Sequence, residues 1–456
     1  MTDPAGTAGP VSLRPVLGRW QLLSIGIGAI IGSGIFVIPG PAAAQFAGPA
    51  IIFSFLIAAF GCVLAGLCYA ELAAMFPSAG SAYSFSSRVF GRFVGWLVGW
   101  LLILEYLFAA AIVAQAFSGY FAVLLGPSVA SSPLIVNLLL PVMIMAVAAF
   151  IAVRGVDFSA TAVSILVAIK VGVILLVIVA GAQYVDPRNW QPFVPANTGV
   201  WGEYGWSGVL RAAGIVFYVY LGFDTVAVAA QEARRPQRDV PFALIGSLAT
   251  CTLLFIPMML VVTGMVDYRA LNVANPIGVA VEAAGPEAGW MVPLVSIGAT
   301  IGMASVLIVI LMAQSRILFA MAQDGLLPAS LARLHREKRT PVAATIATAI
   351  VACGISLSVP IATLGHMVSI GVLSAFVAVA AAVLVWRRKY PDAQRPFRAP
   401  WVPAVPIGAI IVCGYMAFAL PGETWLRFGI WMVLGILIYL VYGVRSANKA
   451  DRQRQD

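Results

Sequence analysis

The sequence predicts an all-α membrane protein of 12 transmembrane helices, built as a five-plus-five inverted repeat with a final pair appended. Three observations carry that expectation. Of 456 residues, 61% are hydrophobic and 10% charged, whereas soluble domains carry roughly 25% charged residues. Apolar runs of about 20 residues, the length that crosses a bilayer, recur along the chain. Glycine-rich interruptions fall in two of those runs, five spans apart. The same composition excludes disorder, collagen, coiled coil, a disulfide scaffold and a string of soluble domains.

Residues 1–20 are polar and lack a short apolar core ending in a small-residue cleavage site, so they are expected to form a cytoplasmic tail rather than a cleaved signal. Runs bounded by charge, Pro or Gly then place spans at 21–46, 49–75, 91–122, 134–153, 158–183, 207–232, 240–266, 288–322, 342–358, 362–386, 402–420 and 424–444. The first repeat covers 21–183, the second 207–386, and the last two spans 402–444. Residues 445–456 form a second cytoplasmic tail. With the N-terminus inside, only Arg188, Arg211, Arg269 and Arg427 fall outside and Lys170 falls within a span, leaving 22 of the 27 basic residues on the cytoplasmic side. That asymmetry is the positive-inside signature of a multi-pass plasma-membrane protein, and a missed helix would have scrambled it. It also accounts for the net charge of +9 without nucleic acid as a partner. The segment 183–206, with Pro187, Trp190, Pro192, Pro195, Trp201 and Trp206, reads as an irregular interfacial cap. The basic stretch Arg333–Arg339 reads as a cytoplasmic anchor.

The five cysteines (Cys62, Cys68, Cys251, Cys353, Cys413) sit in apolar runs and form no CxxC pair. Neither His335, in a basic loop, nor His366 stands in a metal-binding spacing with a carboxylate or thiol. No metal site, cofactor or nucleophile–base pair is therefore expected, and no enzyme.

The first span contains Gly26, Gly28, Gly32 and Gly34. Each glycine weakens a helix by up to about 1 kcal/mol relative to alanine. A dinucleotide fingerprint does not fit, because no strand precedes the run and the spacing is GxGxxxG. Close helix packing through Gly28 and Gly32 is one reading. The other is a helix broken near Gly32–Gly34, whose free N–H and C=O groups suit a carboxylate and an ammonium. A second candidate break, around Leu221-Gly222-Phe223-Asp224 in the sixth span, favours the latter. Five spans apart, the two segments cross the bilayer in opposite directions, which is the pattern of an inverted repeat with a central site.

Three ionisable residues sit at membrane depth: Glu105 in the third span, Lys170 in the fifth and Asp224 at the second break. Each costs at least about 2.5–3.5 kcal/mol to insert, so each needs a reason. A static ion-pair network is one; handling of a proton or ligand is the other, because burial penalises the charged form of a carboxyl group. Glu71, near the cytoplasmic end of the second span, reads instead as a structural pairing residue.

These residues lie in ordered motifs that carry a family likeness. Gly26–Phe36, with its GSGIF core, and Tyr69–Tyr83 (YAELAAMFPSAGSAY) resemble the first two helices of the amino acid–polyamine–organocation (APC) superfamily. Gly222–Pro241 and Ser315–Pro328 (SRILFAMAQDGLLP) resemble its bacterial cationic amino acid transporter branch. The likeness covers about residues 15–445. It implies a LeuT-type fold and a secondary active transporter. The substrate's carboxylate would meet the N–H groups of Ser33, Gly34 and Ile35, and its ammonium the carbonyls around Ile30, Tyr218 and Leu221. Glu105 and Asp224 match positions of coupling or gating, and Lys170 matches a lysine that stands in for a sodium site. Ser33 stands where many relatives carry Thr, and Gln231 where many carry Glu. Met303 in the eighth span is a candidate wall for the substrate side chain, with gap-filling packing as the plain alternative. A bulky apolar residue there would favour a small neutral side chain. The resulting expectation is proton-coupled amino acid uptake by alternating access, with a free amino acid, protons and the lipid bilayer as partners. An amino acid exchanger on the same fold is the alternative, followed by a non-transporting sensor. A metal-ion transporter would need Asp, Asn or Met ligands at the first break, where this chain has Gly and Ser. The substrate and any small membrane accessory subunit are not specified by the sequence.

Overall fold

The computed structural model describes residues 17–76, 81–155, 160–224, 226, 233–273, 275–335 and 340–443. Within them helix is the regular secondary structure, with one isolated parallel bridge between Leu17 and Ala233. The first expected span is divided. Helix α1 (Arg19–Ile30) is followed by α2 (Ser33–Val37), then by a short turn of helix at Pro39–Ala42 and a wide turn at Ala43–Ala47. Pro39 and Pro41 remove two backbone donors there, which prevents one continuous ladder. The second span is α3 (Ile51–Met75).

After α4 (Ser81–Phe90), the long α5 (Arg92–Leu125) runs through the middle of the molecule, followed by α6 (Leu140–Arg154) and α7 (Ala160–Gly181). The sixth expected span begins as α8 (Gly205–Val216) and passes into a tighter helical turn at Phe217–Tyr220; most of its second half, including Gln231, lies outside the described residues. Next come α9 (Pro236–Met265), α10 (Pro276–Ala283), α11 (Met291–Gln323), α12 (Val342–Ser358), α13 (Ile361–Lys389), α14 (Ala404–Phe418) and α15 (Gly422–Ile438). Local chemistry supports these limits. Pro236 and Pro276 start α9 and α10, where a missing N–H costs nothing. Arg387, Arg388 and Lys389 end α13, where cations suit the helix dipole.

Among the described residues, nine helical stretches are long and apolar enough to cross a membrane, and α12 and α14 are shorter apolar helices. Two helices were not expected from the sequence. Both α4 and α10 are short and of mixed or modest polarity, so a search for runs of spanning length passes over them.

Helix α5 is the most enclosed element, with Ala109 to Ala114 fully buried. A stack of Trp96, Trp100 and Trp431, with centroids 5.8 and 4.7 Å apart, docks α15 against it. The Trp96 indole N–H donates to the Gly435 carbonyl at 2.9 Å. On the opposite surfaces, Val179, Leu253, Phe418 and Leu426 are all more than two-thirds exposed. Water would penalise such faces, whereas hydrocarbon would not. At one end the 183–206 segment is irregular and closes over the first span: the Tyr204 hydroxyl donates to the Ala44 carbonyl at 2.5 Å, and its N–H to the Phe46 carbonyl at 2.9 Å.

Candidate functional site

The two interrupted segments meet. Helix α1 stops at Ile30, Ile31 and Gly32 are non-helical, and α2 restarts at Ser33. In an unbroken helix the Gly32 N–H would donate to Gly28; here it donates to the Ile30 carbonyl at 2.9 Å. In the second segment, Gly222 has φ +105°, a conformation open to glycine at little cost. The glycines are also required by proximity. A Cβ on Gly34 would lie 2.8 Å from Val219 Cα, and one on Gly222 would lie 2.8 Å from the Ala29 carbonyl oxygen. The breaks are thus pressed together backbone to backbone.

Beside them lies a cavity of about 180 Å³. Gly28, Ile30, Gly32 and Gly34 line one side and Tyr218, Leu221 and Gly222 another. Helix α11 supplies Ser305, Val306, Val309 and Ala313; α7 supplies Leu166, Val167 and Lys170; α5 supplies Tyr106. Most of this surface is aliphatic. The α11 stripe from Ser305 to Ala313 extends about 12 Å at 1.5 Å per residue.

Of the contacts expected from the sequence, Ile30, Gly34, Tyr218 and Leu221 line this cavity. Ile35 and Met303 are fully buried and are not lining residues. Only the backbone of Ser33 is described. Helix phase accounts for Met303: at 3.6 residues per turn it lies about a quarter turn from the centre of the Ser305–Ala313 stripe. Its surroundings are those of a packing residue.

The three intramembrane charges separate into two groups. Lys170, 2% exposed, enters the cavity and donates from Nζ to the Gly28 carbonyl at 2.9 Å. That is the carbonyl whose helical donor the break redirects, so the break and the lysine fit each other. Glu105 and Asp224, 2% and 4% exposed, are not lining residues. They lie close enough to feel each other's charge. Tyr106, next to Glu105 in sequence, lines the cavity. Sequence reasoning missed Tyr106; the available signal was a phenol directly following a mid-span acid.

Glu71 has a different setting. Arg387 holds both its oxygens, at 2.9 and 2.6 Å, the Ala399 N–H donates at 2.7 Å, and Arg395 stands 3.6 Å away. This matches the pairing role expected for it. Among the described residues no group of three His, Cys, Asp or Glu could hold a metal ion, and the five cysteines are unpaired thiols.

Comparison with known proteins fits this architecture. The model of the amino acid permease family matches residues 17–444. The chain is 41% identical over 443 residues to a methylthioribose transporter of Bacillus subtilis, covering 94% of each chain. It is 38% identical over 459 residues to the branched-chain amino acid permease BcaP of the same organism, covering 97% of this chain and 96% of the relative. It is 36% identical over 385 residues to the vacuolar cationic amino acid transporter 2 of Arabidopsis thaliana, covering 82% of this chain and 60% of that one. Interrupted helices meeting at a buried cavity, together with a match over nearly the whole length, identify the chain as a member of the amino acid permease family, within the APC superfamily of membrane transporters.

Proposed function

We propose that the protein is a secondary active transporter that takes up a neutral, apolar amino-acid-type solute across the plasma membrane by alternating access, coupled to protons. The observation that carries this reading is the junction of the two interrupted helices at a largely aliphatic cavity. Backbone N–H groups at the start of α2, around Ser33, Gly34 and Ile35, would receive a carboxylate, since the first N–H groups of a helix lack helical acceptors. Carbonyls near Ile30, Tyr218 and Leu221 would receive the ammonium. Ile30, Leu221, Val306 and Val309 would pack on the side chain, in the role first considered for Met303.

The lining favours a neutral solute over a cationic one. Among the described residues its ionisable side chains are Lys170 and two tyrosines, with no carboxylate. A substrate cation would have to be buried beside the Lys170 ammonium without a counter-ion, which is costly. Relatives named for branched-chain amino acids and for methylthioribose at high coverage are compatible with a neutral solute. In the same reading the chain makes 12 passes with both termini cytoplasmic. The first and second sets of five form inverted repeats, Lys170 fills the place of a coupling cation, and Glu105 and Asp224 handle the proton.

Uptake into proteoliposomes tests the substrate class. Radiolabelled leucine should enter and be competed by other aliphatic amino acids, with lysine failing to compete. Lysine uptake exceeding leucine uptake would reject a neutral substrate. Leucine entry only into vesicles preloaded with amino acid would reassign the protein as an exchanger.

A further inference from the structure

The wall of the cavity is one-sided. From the first span it takes Ile25, Gly28, Ala29 and Ile30 ahead of the break, but beyond Gly32 only Gly34 among the described residues. Ile35, Phe36 and Val37, next along α2, have at most 1% of their surface exposed. Toward the 183–206 segment, the breaks are therefore shut off in this conformation.

Two enclosed hydroxyl groups hold that side. Tyr120 of α5 is fully buried, and its hydroxyl donates to the Phe36 carbonyl of α2 at 2.8 Å. Its ring meets Phe36 edge-on, with centroids 6.3 Å apart. Ser369 of α13, also fully buried, donates to the Ile215 carbonyl of α8 at 3.1 Å. Phe36 and Ile215 lie in the last turns of α2 and α8, where carbonyls lack helical donors. The outer half of each interrupted helix, the half nearer the 183–206 segment, is thus tied by one hydroxyl to a helix beside it. Ile38, just past α2, is wedged nearby. It lines a second, small cavity with Ile215, Ala362 and His366, and a Cβ on Gly365 would lie 2.9 Å from its Cδ1.

We infer that Tyr120 and Ser369 are positioning residues that bolt the outer halves of the two interrupted helices in the closed position. This inference rests on the alternating-access reading above. When either half swings out, its carbonyl and the hydroxyl meet water and regain hydrogen bonds there. Each bolt therefore contributes only the net value of one hydrogen bond. A contribution of that size shifts a two-state population several-fold without locking it, which suits a contact broken in every cycle.

The test is labelling of Ile38→Cys by a membrane-impermeant maleimide added to intact cells that express the full-length protein. The parent protein sets the background from its five native cysteines. Ile38→Cys alone should react slowly. Adding Tyr120→Phe, which removes only the hydroxyl, should raise the rate about 5-fold, the scale of one net hydrogen bond. Adding Ser369→Ala should do the same, and the two together should reach about 25-fold, as for independent sites. Melting curves of the purified variants check folding, and should one variant not fold, the other carries the test. Unchanged labelling in folded variants would overturn the bolts. So would a loss of stability without faster labelling, which marks packing alone. Ile38→Cys alone reacting as fast as denatured protein would overturn the closed position itself. Leucine uptake by the wild-type protein tests the transport reading separately, and its absence would reject that reading whatever the labelling shows.

Discussion

Glu71 and Glu105 are both enclosed carboxyl groups in helices of the N-terminal half, α3 and α5, yet their surroundings differ. Glu71 has Arg387 on both oxygens, a backbone N–H from Ala399, and Arg395 within ion-pair distance. Glu105, 2% exposed, lies mid-span in α5, and Asp224 at the second break is enclosed likewise. The first arrangement is an ion pair that ties α3 to the end of α13. The second places two acids at membrane depth, where each charge is costly to insert. The comparison separates charge that builds the fold from charge available for work.

Substitutions can break or sharpen this contrast. Glu71→Ala should have the largest effect on stability, about 3–5 kcal/mol, because it leaves the 4%-exposed Arg395 side chain and much of Arg387 without their partner. Thermal unfolding of purified protein would reveal it; a melting temperature within a degree of wild type would contradict the structural role. Gly34→Ala, which drives a methyl group against Val219 Cα, should spare folding more than Glu71→Ala does. It should reduce leucine uptake by about 100-fold, the scale of a 1 Å misplacement at a reacting site. Normal uptake would mean that the two breaks need not touch.

Glu105→Gln should lower pH-gradient-driven uptake by about 5-fold or more and change leucine affinity at a single pH less. Equal losses in both would remove Glu105 from coupling and return it to packing. At the small end is the exposed Asp186–Arg188 pair of the 183–206 segment, 2.8 Å apart. Arg188 holds the Asp186 carboxyl below its ordinary range, so its contribution is present at neutral pH and fades as pH falls through that lowered value. Exposed pairs contribute little, so Arg188→Ala should leave uptake and melting temperature unchanged at pH 7.

Much of this contrast was legible in the sequence, because an acid in an apolar run stands out wherever it lies. So did the breaks: four glycines in Gly26–Gly34, and Gly222 beside Asp224, mark positions where a helix cannot run on. What could not be read was pairing at long range. Arg387 lies 316 residues from Glu71, and nothing local in YAELAA names it. Nor could the sequence say that Tyr106, one aromatic among many in Trp96–Phe108, would face the cavity. Met303 is buried and not among the lining residues for a reason of phase. Composition identifies an apolar helix, but which stripe of α11 faces the breaks is decided by its packing against α5 and α7. The short α4 and α10 were missed because they obey the propensities of soluble helices within a chain otherwise read by bilayer length.

The central claim is that the charges at the breaks, unlike those around Glu71, couple transport to protons. The most direct measurement is leucine accumulation in proteoliposomes of equal protein content, with and without an inwardly directed proton gradient. Accumulation above the external concentration that appears with the gradient and collapses when a protonophore is added is the predicted result. Uptake that reaches the same level with the gradient, without it and in the presence of the protonophore would contradict the account.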